Sequence, residues 1–540
     1  MTGIPVHRQM TYERPPGLDG PDGTHPVVIV GAGPVGLALA LDLARRGHRP
    51  VVLDRLDFVP GGSKAICFSK RSLDIFDRLG VGERVRAKGV RWETGHVFWG
   101  DDPEPIYSFD LQPTKDQANP AFVNIQQYHV EDYLLDACLA AGVEVLWNHE
   151  VASVTPGEDG VTVTARTPDG AYDLRADWLV ACDGSRSAVR EAMGLGFEGE
   201  VFEDTFLIAD VAMEAERPAE RWFWFDPPFP GDSALLHKQP DGVWRLDFQL
   251  GPGADKAAAI EPSNVDRFVR GMLGEDAAYR HEWLSAYTFT CRRMARFVHG
   301  RVAFAGDAAH LVSPFGARGC NGGLADADNL GWKLDRILRG ADTALLGTYE
   351  HEAGVTADEN ILNSTRSASF LTPKTAGARL LRDAVLALSR RHAFARPFVN
   401  SGRLSTPVRY PRSPLNGPDE GFTGGVPPGA PCVDAPLNGG WLLERLGGRA
   451  CLLRFAADEE AGASAPPLSD LPEVVVTLDA RHALAAARYD AAPGTAYLVR
   501  PDQYVAARWR RATAETIAAA ASRWHEEVRG TAREGEAAWA

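Results

Sequence analysis

No stretch of this chain concentrates lysine and arginine, and the whole is acidic: 57 Lys and Arg against 72 Asp and Glu give a net charge of -15. Such a chain repels nucleic acid and anionic membranes. No apolar run reaches the ~18 residues of a membrane helix. The first 24 residues are polar and rich in Pro and Gly, with no apolar core of a secretory signal. Cysteine is scarce and scattered: seven residues, none in a C-x-x-C pair. That argues against a disulfide framework and against structural zinc, and it fits a reducing, cytoplasmic compartment. No repeat of 20–50 residues is present, so a solenoid is excluded.

What is present is ordinary globular composition, 45% apolar over 540 residues. At roughly 100–200 residues per domain this length suggests about three domains. Residues 1–24 read as a flexible tail. Residues 26–30 form an apolar run, followed by a Gly-rich turn, a helical stretch to about Arg46 and a second β-run at 51–53, which is a β-α-β unit. Helical patterns over 69–80 and 130–141 end at Gly80 and Gly142. Residues 151–165 and 171–180 alternate as a hairpin would. From 201 to 290 the texture changes to short aromatic runs between turns, which reads as an inserted, mostly antiparallel sheet. A buried-type strand at 301–305, a Gly-rich loop and helices through 345–398 follow. Residues 401–435 are rich in Pro and Gly and read as a linker before a C-terminal unit, 436–540.

Gly31-Ala32-Gly33-Pro34-Val35-Gly36 carries the most weight. Gly31 permits the tight turn, Gly33 lets the backbone approach a pyrophosphate, and Gly36 lets helix and strand pack closely. The helix N-terminus favours phosphate. Asp54, at the end of the second strand, stands where a carboxylate accepts from an adenosine ribose. The string Gly194-Leu195-Gly196-Phe197-Glu198-Gly199 has the same spacing but follows a helix and precedes a strand, so it reads as a loop. Two later segments, Asp183-Gly184 after a β-run and Gly306-Asp307-Ala308-Ala309-His310, each set a carboxylate beside small residues.

These three ordered motifs resemble the class A flavoprotein monooxygenases of the para-hydroxybenzoate hydroxylase type, over about residues 26–400. Within that class the sequence is similar to the 3-(3-hydroxyphenyl)propionate hydroxylase and phenol hydroxylase branch. The resemblance implies an α/β fold: an FAD-binding Rossmann-type domain (25–200 and 291–400), an inserted substrate sheet (201–290) and a C-terminal thioredoxin-like domain. That last likeness rests on Tyr497-Leu498-Val499-Arg500-Pro501-Asp502. With Cys451 standing alone, it implies a structural part or a dimer contact rather than thiol chemistry.

By the same resemblance, Gly31, Gly33 and Gly36 take the FAD pyrophosphate and Asp54 the ribose. Gln127 contacts FAD, Asp183 belongs to a motif tied to FAD and NAD(P)H, and Gly306 and Asp307 meet the ribityl chain. Pro314 lies beside the isoalloxazine, and Gly319, Cys320 and Asn321 wrap its pyrimidine edge. Lys64 stands where the family usually has Arg, and a point charge lacks the bidentate fork. Arg318 either adds charge near the flavin or points outward into solvent. The implied reaction is hydroxylation of a small phenol through a flavin C4a-hydroperoxide, using FAD, NAD(P)H and O2. Epoxidation, Baeyer–Villiger or decarboxylative oxidation of a polyketide or quinone, a reductase without oxygen transfer, and a non-catalytic FAD scaffold are the alternatives.

The aromatic insert is the expected substrate roof. In 243–250, Trp244, Leu246, Phe248 and Leu250 share one face and Arg245, Asp247 and Gln249 the other; the sequence does not say which meets the flavin. His237 is either a base for the phenol or a satisfied structural histidine. Arg245 either binds a substrate carboxylate or pairs with Asp247 or solvent. Trp222 and Trp224 read as core.

Overall fold

The computed structural model describes residues 5–20, 23–111, 114–214, 217–314, 316–399, 404, 406–419, 421–456 and 473–524. Its first large sheet is built around Thr24–Val30, which pairs in parallel with Val51–Asp54 on one side and with Gly170–Ala181 on the other. Glu144–Trp147 extends the parallel set beyond Val51–Asp54, and Val302–Phe304 joins Gly170–Ala181. Val27, Val28 and Ile29 are fully buried, as expected where parallel strands are covered on both faces. Helices Pro34–Arg45, Gln127–Ala140 and Gly319–Leu338 supply one cover. The expected strand 151–165 is two strands, Glu150–Pro156 and Val161–Thr167, because Gly157 N–H closes a turn onto Gly160 C=O at 2.8 Å.

The second sheet runs in the order His310–Leu311, Arg280–Arg293, Glu198–Ala212, Val243–Pro252, Ser233–Lys238, Arg221–Phe225, Thr94–Trp99, Tyr107–Asp110. It is therefore not confined to 201–290. Its last two strands come from the earlier segment, and Arg221–Phe225 meets Thr94–Trp99 in parallel. Trp244, Leu246 and Phe248 pack outward with Leu236 against Val265 and Phe268 of helix Pro262–Leu273. Trp222 and Trp224 join that outer layer. Period-2 alternation then turns Arg245, Asp247 and Gln249 inward, and Arg245 reaches the Ser63 and Lys64 carbonyls beside the first sheet. The polar face of this strand, not the aromatic one, meets the Ser63-Lys64 segment.

Two segments expected to be free are tied down. Within 1–24, Val6–Gln9 pairs with Phe58–Pro60, and Arg8 Nη1 donates to Asp132 and Asp136 at 2.7 Å each. Within 401–435, Val426, Ala430 and Cys432 are buried in the C-terminal core, and Gly417 N–H donates to Ala506 C=O at 2.7 Å. That C-terminal sheet has the order Val474–Leu478, Cys451–Phe455, Ala496–Val499, Val505–Trp509, with the first pair parallel and the others antiparallel. The arrangement is thioredoxin-like. Cys451 is buried, and burial pushes its thiol up to about 12, which suits packing rather than redox exchange.

The C-terminal unit docks through buried charge. Arg500 Nη1 and Nη2 donate to Glu352 at 2.5 and 2.9 Å, and Lys333 Nζ donates to the same carboxylate at 2.9 Å. Asn329 and Ser413 add donors at 2.7 and 2.6 Å. Burial by itself would raise the Glu352 carboxyl, but Arg500 and Lys333 outweigh it and hold it far below 4.5. The folded state then binds fewer protons than the unfolded chain in that range, so this stabilisation is present above about pH 4.5 and is lost as the pH falls. Glu352→Gln leaves two buried cations short of a countercharge and should cost about 3–5 kcal/mol. Urea unfolding across pH 3–7 checks both expectations: lower stability at neutral pH, and a flatter acid limb than in the parent protein.

Candidate active site

The first turn is built by close backbone contacts. Gly31 has φ +108°, and a Cβ there would lie 2.5 Å from the Cys182 carbonyl oxygen. A Cβ on Gly36 would lie 2.0 Å from the Gly31 oxygen. At Gly33 a Cβ would meet nothing within 4 Å. The bare side of the turn therefore faces open space in front of helix Pro34–Arg45, whose N-cap, Gly33, offers no side-chain acceptor. That is an anion cradle. Asp54 accepts from Ala32 N–H at 2.7 Å and Leu56 N–H at 2.9 Å, so each oxygen retains one lone pair.

Asp183 stands across the turn. Its Oδ2 accepts from Val189 N–H at 3.1 Å, while Oδ1 is buried with no partner among the described residues. Burial raises this carboxyl, and the Ser187 hydroxyl and Val189 N–H pull the other way. An unsatisfied buried acceptor calls for a donor from outside the chain.

Gly306 and Asp307 follow Val302–Phe304. The turn is held from behind: Asp326 Oδ2 accepts from Gly306 N–H at 2.9 Å and lies 2.6 Å from His310 Nε2. Burial works against a charged His310, but Asp326 outweighs it and raises the imidazole. Asp307 itself is open to solvent in a concave surround, and no hydrogen bond to its carboxylate is present among the described residues. The surround raises its carboxyl, with Lys64 and His310 opposing. Lys64 also faces Glu131, which burial pushes up to about 7. Gln127 ties this corner together, accepting from Ala65 N–H at 3.0 Å and donating to Glu131 at 2.8 Å.

The loop after Pro314 turns through Gly316 and Ala317, both at positive φ, into helix Gly319–Leu338, which begins without a side-chain cap. Its first N–H groups, on Gly319, Cys320 and Asn321, have no acceptor within the helix. The Asn321 side chain is committed elsewhere: Oδ1 accepts from Ser69 N–H and Ser72 Oγ at 2.9 and 2.6 Å, and Nδ2 donates to the Cys67 and Ala317 carbonyls. It fixes the loop and leaves its backbone for a ligand. Arg318 is buried rather than solvated, and Nη1 donates to Asn360 at 3.1 Å.

Beside this loop lies a cavity of about 520 Å³. The inner face of the second sheet gives it Phe109, Arg221, Phe223 and Phe225, and helix Leu346–Leu371 gives it Asn363, Arg366, Ser367 and Phe370. Gly316 and Arg318 form its wall toward the first sheet. Sequence reasoning missed this set. The signal existed in the 3-1-3 spacing of Asn363, Arg366, Ser367 and Phe370, one stripe of a helix.

Of the two candidates singled out on the sheet, Arg245 has a partner other than Asp247, and His237 is buried in the sheet. Arg245 is buried and bidentate to Asp210, not Asp247, with Nε and Nη2 at 2.7 Å from the two carboxylate oxygens. Two further donors go to the Ser63 and Lys64 carbonyls. His237 is buried between Arg221 and Arg245, and burial together with those two cations drives its imidazole well below 6.5.

Known proteins share this arrangement. The family model described as FAD binding domain matches residues 24–364, and that described as aromatic-ring hydroxylase, C-terminal, matches 427–527. The chain is 32% identical over 499 residues to the 12-dehydrotetracycline 5-monooxygenase/anhydrotetracycline 6-monooxygenase of Streptomyces rimosus, covering 89% of this chain and 94% of that one. It is 32% identical over 372 residues to the 3-(3-hydroxy-phenyl)propionate/3-hydroxycinnamic acid hydroxylase of Klebsiella pneumoniae, covering 67% and 65%. The crystal structure of the flavin-dependent monooxygenase PieE in complex with FAD and substrate matches with a TM-score of 0.81 over 94% of this chain and 99% of the other; at 24% identity it speaks to the fold. The chain is a member of the FAD-dependent aromatic-ring hydroxylases, the class A flavoprotein monooxygenases.

Proposed function

We propose that this monooxygenase hydroxylates a phenolic substrate of several fused rings, held in the 520 Å³ cavity beside Gly316 and Arg318. The observation that carries the reading is the size and lining of that cavity. A single phenol ring would leave most of it to water, whereas phenylalanines on two walls suit an extended aromatic plane. The tetracycline-type names of full-length relatives point the same way.

The groups present fit FAD. The open turn at Gly31, Gly33 and Gly36 would take the pyrophosphate, Asp54 the adenosine ribose, and Asp307 with Gly306 the ribityl hydroxyls. The orphaned Asp183 oxygen would accept a cofactor hydroxyl or N–H. Gln127 and Lys64 would border the isoalloxazine, and the N–H groups of Gly319, Cys320 and Asn321 would face its electron-rich edge. Bound FAD supplies electron transfer from NAD(P)H and the activation of O2. The chain orients the ring, and Phe223, Phe225 and Phe370 keep water from it. Arg245 and His237 serve the sheet in this reading: Arg245 spends four of its five N–H groups on Asp210, Ser63 and Lys64, and a histidine that resists protonation is a poor proton acceptor.

Mixing the FAD-loaded protein with NAD(P)H, air and a panel of one-ring and multi-ring phenols tests the substrate class. Only multi-ring members should stimulate NAD(P)H oxidation and give a product heavier by one oxygen atom; stimulation by one-ring phenols alone would reject it. Asp307→Ala should keep its unfolding midpoint yet lose at least about tenfold in FAD affinity, roughly the loss of a hydrogen bond to a charged group. Flavin fluorescence titration measures this, and parent-like affinity removes the contact. Gly36→Ala should lose flavin and stability together, since its Cβ would strike the Gly31 oxygen. Flavin content and melting temperature of the purified variant show whether it does.

A further inference from the structure

Helix Ala376–Arg391 has its polarity reversed. The face toward the second sheet carries Arg382, Leu386 and Ser389, all buried. Leu386 belongs to one core with Val97, Tyr107 and Phe225, and Arg382 Nη2 donates to Asp226 at 2.6 Å. The outward face is apolar. Gly377, Leu380, Leu381, Ala384 and Leu388 follow at steps of 3, 1, 3 and 4, an arc of about 100° at 100° per residue. Leu380 is 73% exposed and Leu381 66%. The next two turns extend the patch. They pack on the helix, with Arg396 Nε donating to the Ser389 carbonyl at 3.2 Å, and they present Phe394 and Phe398, 67% and 69% exposed. Single exposed leucines need no explanation, but a contiguous patch of this kind marks a surface that meets something.

The same segment is basic. Residues 374–396 carry Lys374, Arg379, Arg382, Arg390, Arg391 and Arg396 against Asp383 alone. They form no run in the sequence; the fold gathers them along the apolar face. The acids of other elements that meet them are Asp226 on Arg382, Asp102 on Arg390 and Asp232 facing Arg379. The cations outnumber these acids, and Arg379 and Arg391 make no ion pair among the described residues. At physiological salt a charge reaches about 8 Å, so the remote acids behind the net charge of -15 do not cancel the patch.

The patch also borders the cavity. Pro397, Phe398 and Val399 line it, and a side chain that lines a cavity while 69% exposed stands at its mouth. A second copy of the chain seated on Phe398 would close that mouth and set two positive patches against each other. An anionic lipid surface matches the charge and accepts the leucines and phenylalanines. It also leaves the mouth open to the phase in which an apolar fused-ring compound collects. Helices with a Leu/Phe face and basic flanks lie in such interfaces, about 5–10 Å deep.

We propose that helix Ala376–Arg391 and the two turns after it dock the protein on an anionic bilayer surface, with the cavity mouth toward the lipid. The use of that mouth rests on the reading of the cavity as the substrate site; the docking does not. Contact is peripheral, since no helix among the described residues is long and apolar enough to cross a membrane. The repulsion expected from net charge holds for the rest of the surface and sets which face approaches.

The FAD-loaded protein is floated on a density gradient with two kinds of vesicle, phosphatidylcholine alone and phosphatidylcholine with phosphatidylglycerol in equal parts. Binding to the mixed vesicles should be at least about tenfold tighter, and it should weaken as salt rises. The double variant Leu380→Gln, Leu381→Gln should lose at least about tenfold of that binding and Arg391→Gln a smaller part, with flavin content unchanged. No flotation with mixed vesicles, equal binding to both kinds, or undiminished binding in the double variant overturns the proposal. So does a parent dimer in sedimentation velocity that the double variant dissociates, which would make this face an interface between copies. No substrate is present, so the outcome is separate from the cavity reading. Protein that floats yet oxidises no multi-ring phenol keeps the docking and loses that reading, and protein that oxidises them without floating does the reverse. Should the double variant not fold, Arg391→Gln and the salt series still decide.

Discussion

Lys333 has no exposed surface, and a buried ammonium persists only against a carboxylate whose other lone pairs are also satisfied. Glu352 is that carboxylate, and three of its donors come from beyond helix Gly319–Leu338: two from Arg500 and one from Ser413. Asp502 closes the circuit, pairing with Arg500 and accepting from Trp332 Nε1 at 3.1 Å. Asp328, on the same helix, takes Arg71 and Arg78 from helix Lys70–Leu79. The central helix is therefore gripped by three separate stretches of chain, and its register is set by charge as well as by packing.

That register matters at the other end. The same helix starts at Gly319 after the turn through Gly316 and Ala317, and Asp326, two turns in, holds Gly306 and His310. Asn321 sews the loop to Cys67, Ser69 and Ser72. A shift of the helix by one residue would rotate Asp326 by about 100° and release the Gly306-Asp307 turn. The C-terminal unit contributes no side chain to the cavity among the described residues, yet it belongs to the chain of contacts that fixes it.

The cofactor half of this protein was legible because its glycines are required by backbone contact. Gly31, Gly36 and Gly306 sit where a Cβ would meet backbone or a packed valine, so their place after a β-run, together with the spacing of the first two, exposed them. The alternation in 243–250 was also readable, but not its direction, because either face could have been covered by another layer; helix Pro262–Leu273 decided it. Asp247, two residues along the same strand, is one of three partners the sequence offers Arg245, beside a substrate carboxylate and solvent. The partner in the fold, Asp210, lies on a neighbouring strand, and no local pattern carries that pairing. The tail and linker were misread for one reason: Pro-rich, polar composition reports the absence of local regular structure, not the absence of tertiary partners for Arg8 or Gly417.

The mixed ancestry of the second sheet sets an order of events during synthesis. Gly95 pairs with Arg221, so Gly95, in the hairpin Thr94–Asp110, leaves the ribosome 126 residues before its partner. At about 5–20 residues per second that interval is roughly 6–25 s. Through it, Val97 and Tyr107, both buried in the finished molecule, stand on an uncovered sheet edge of the kind that recruits other chains. The nascent protein thus carries an aggregation-prone edge until Arg221–Phe225 is made, and chaperone demand should concentrate in the first half of translation.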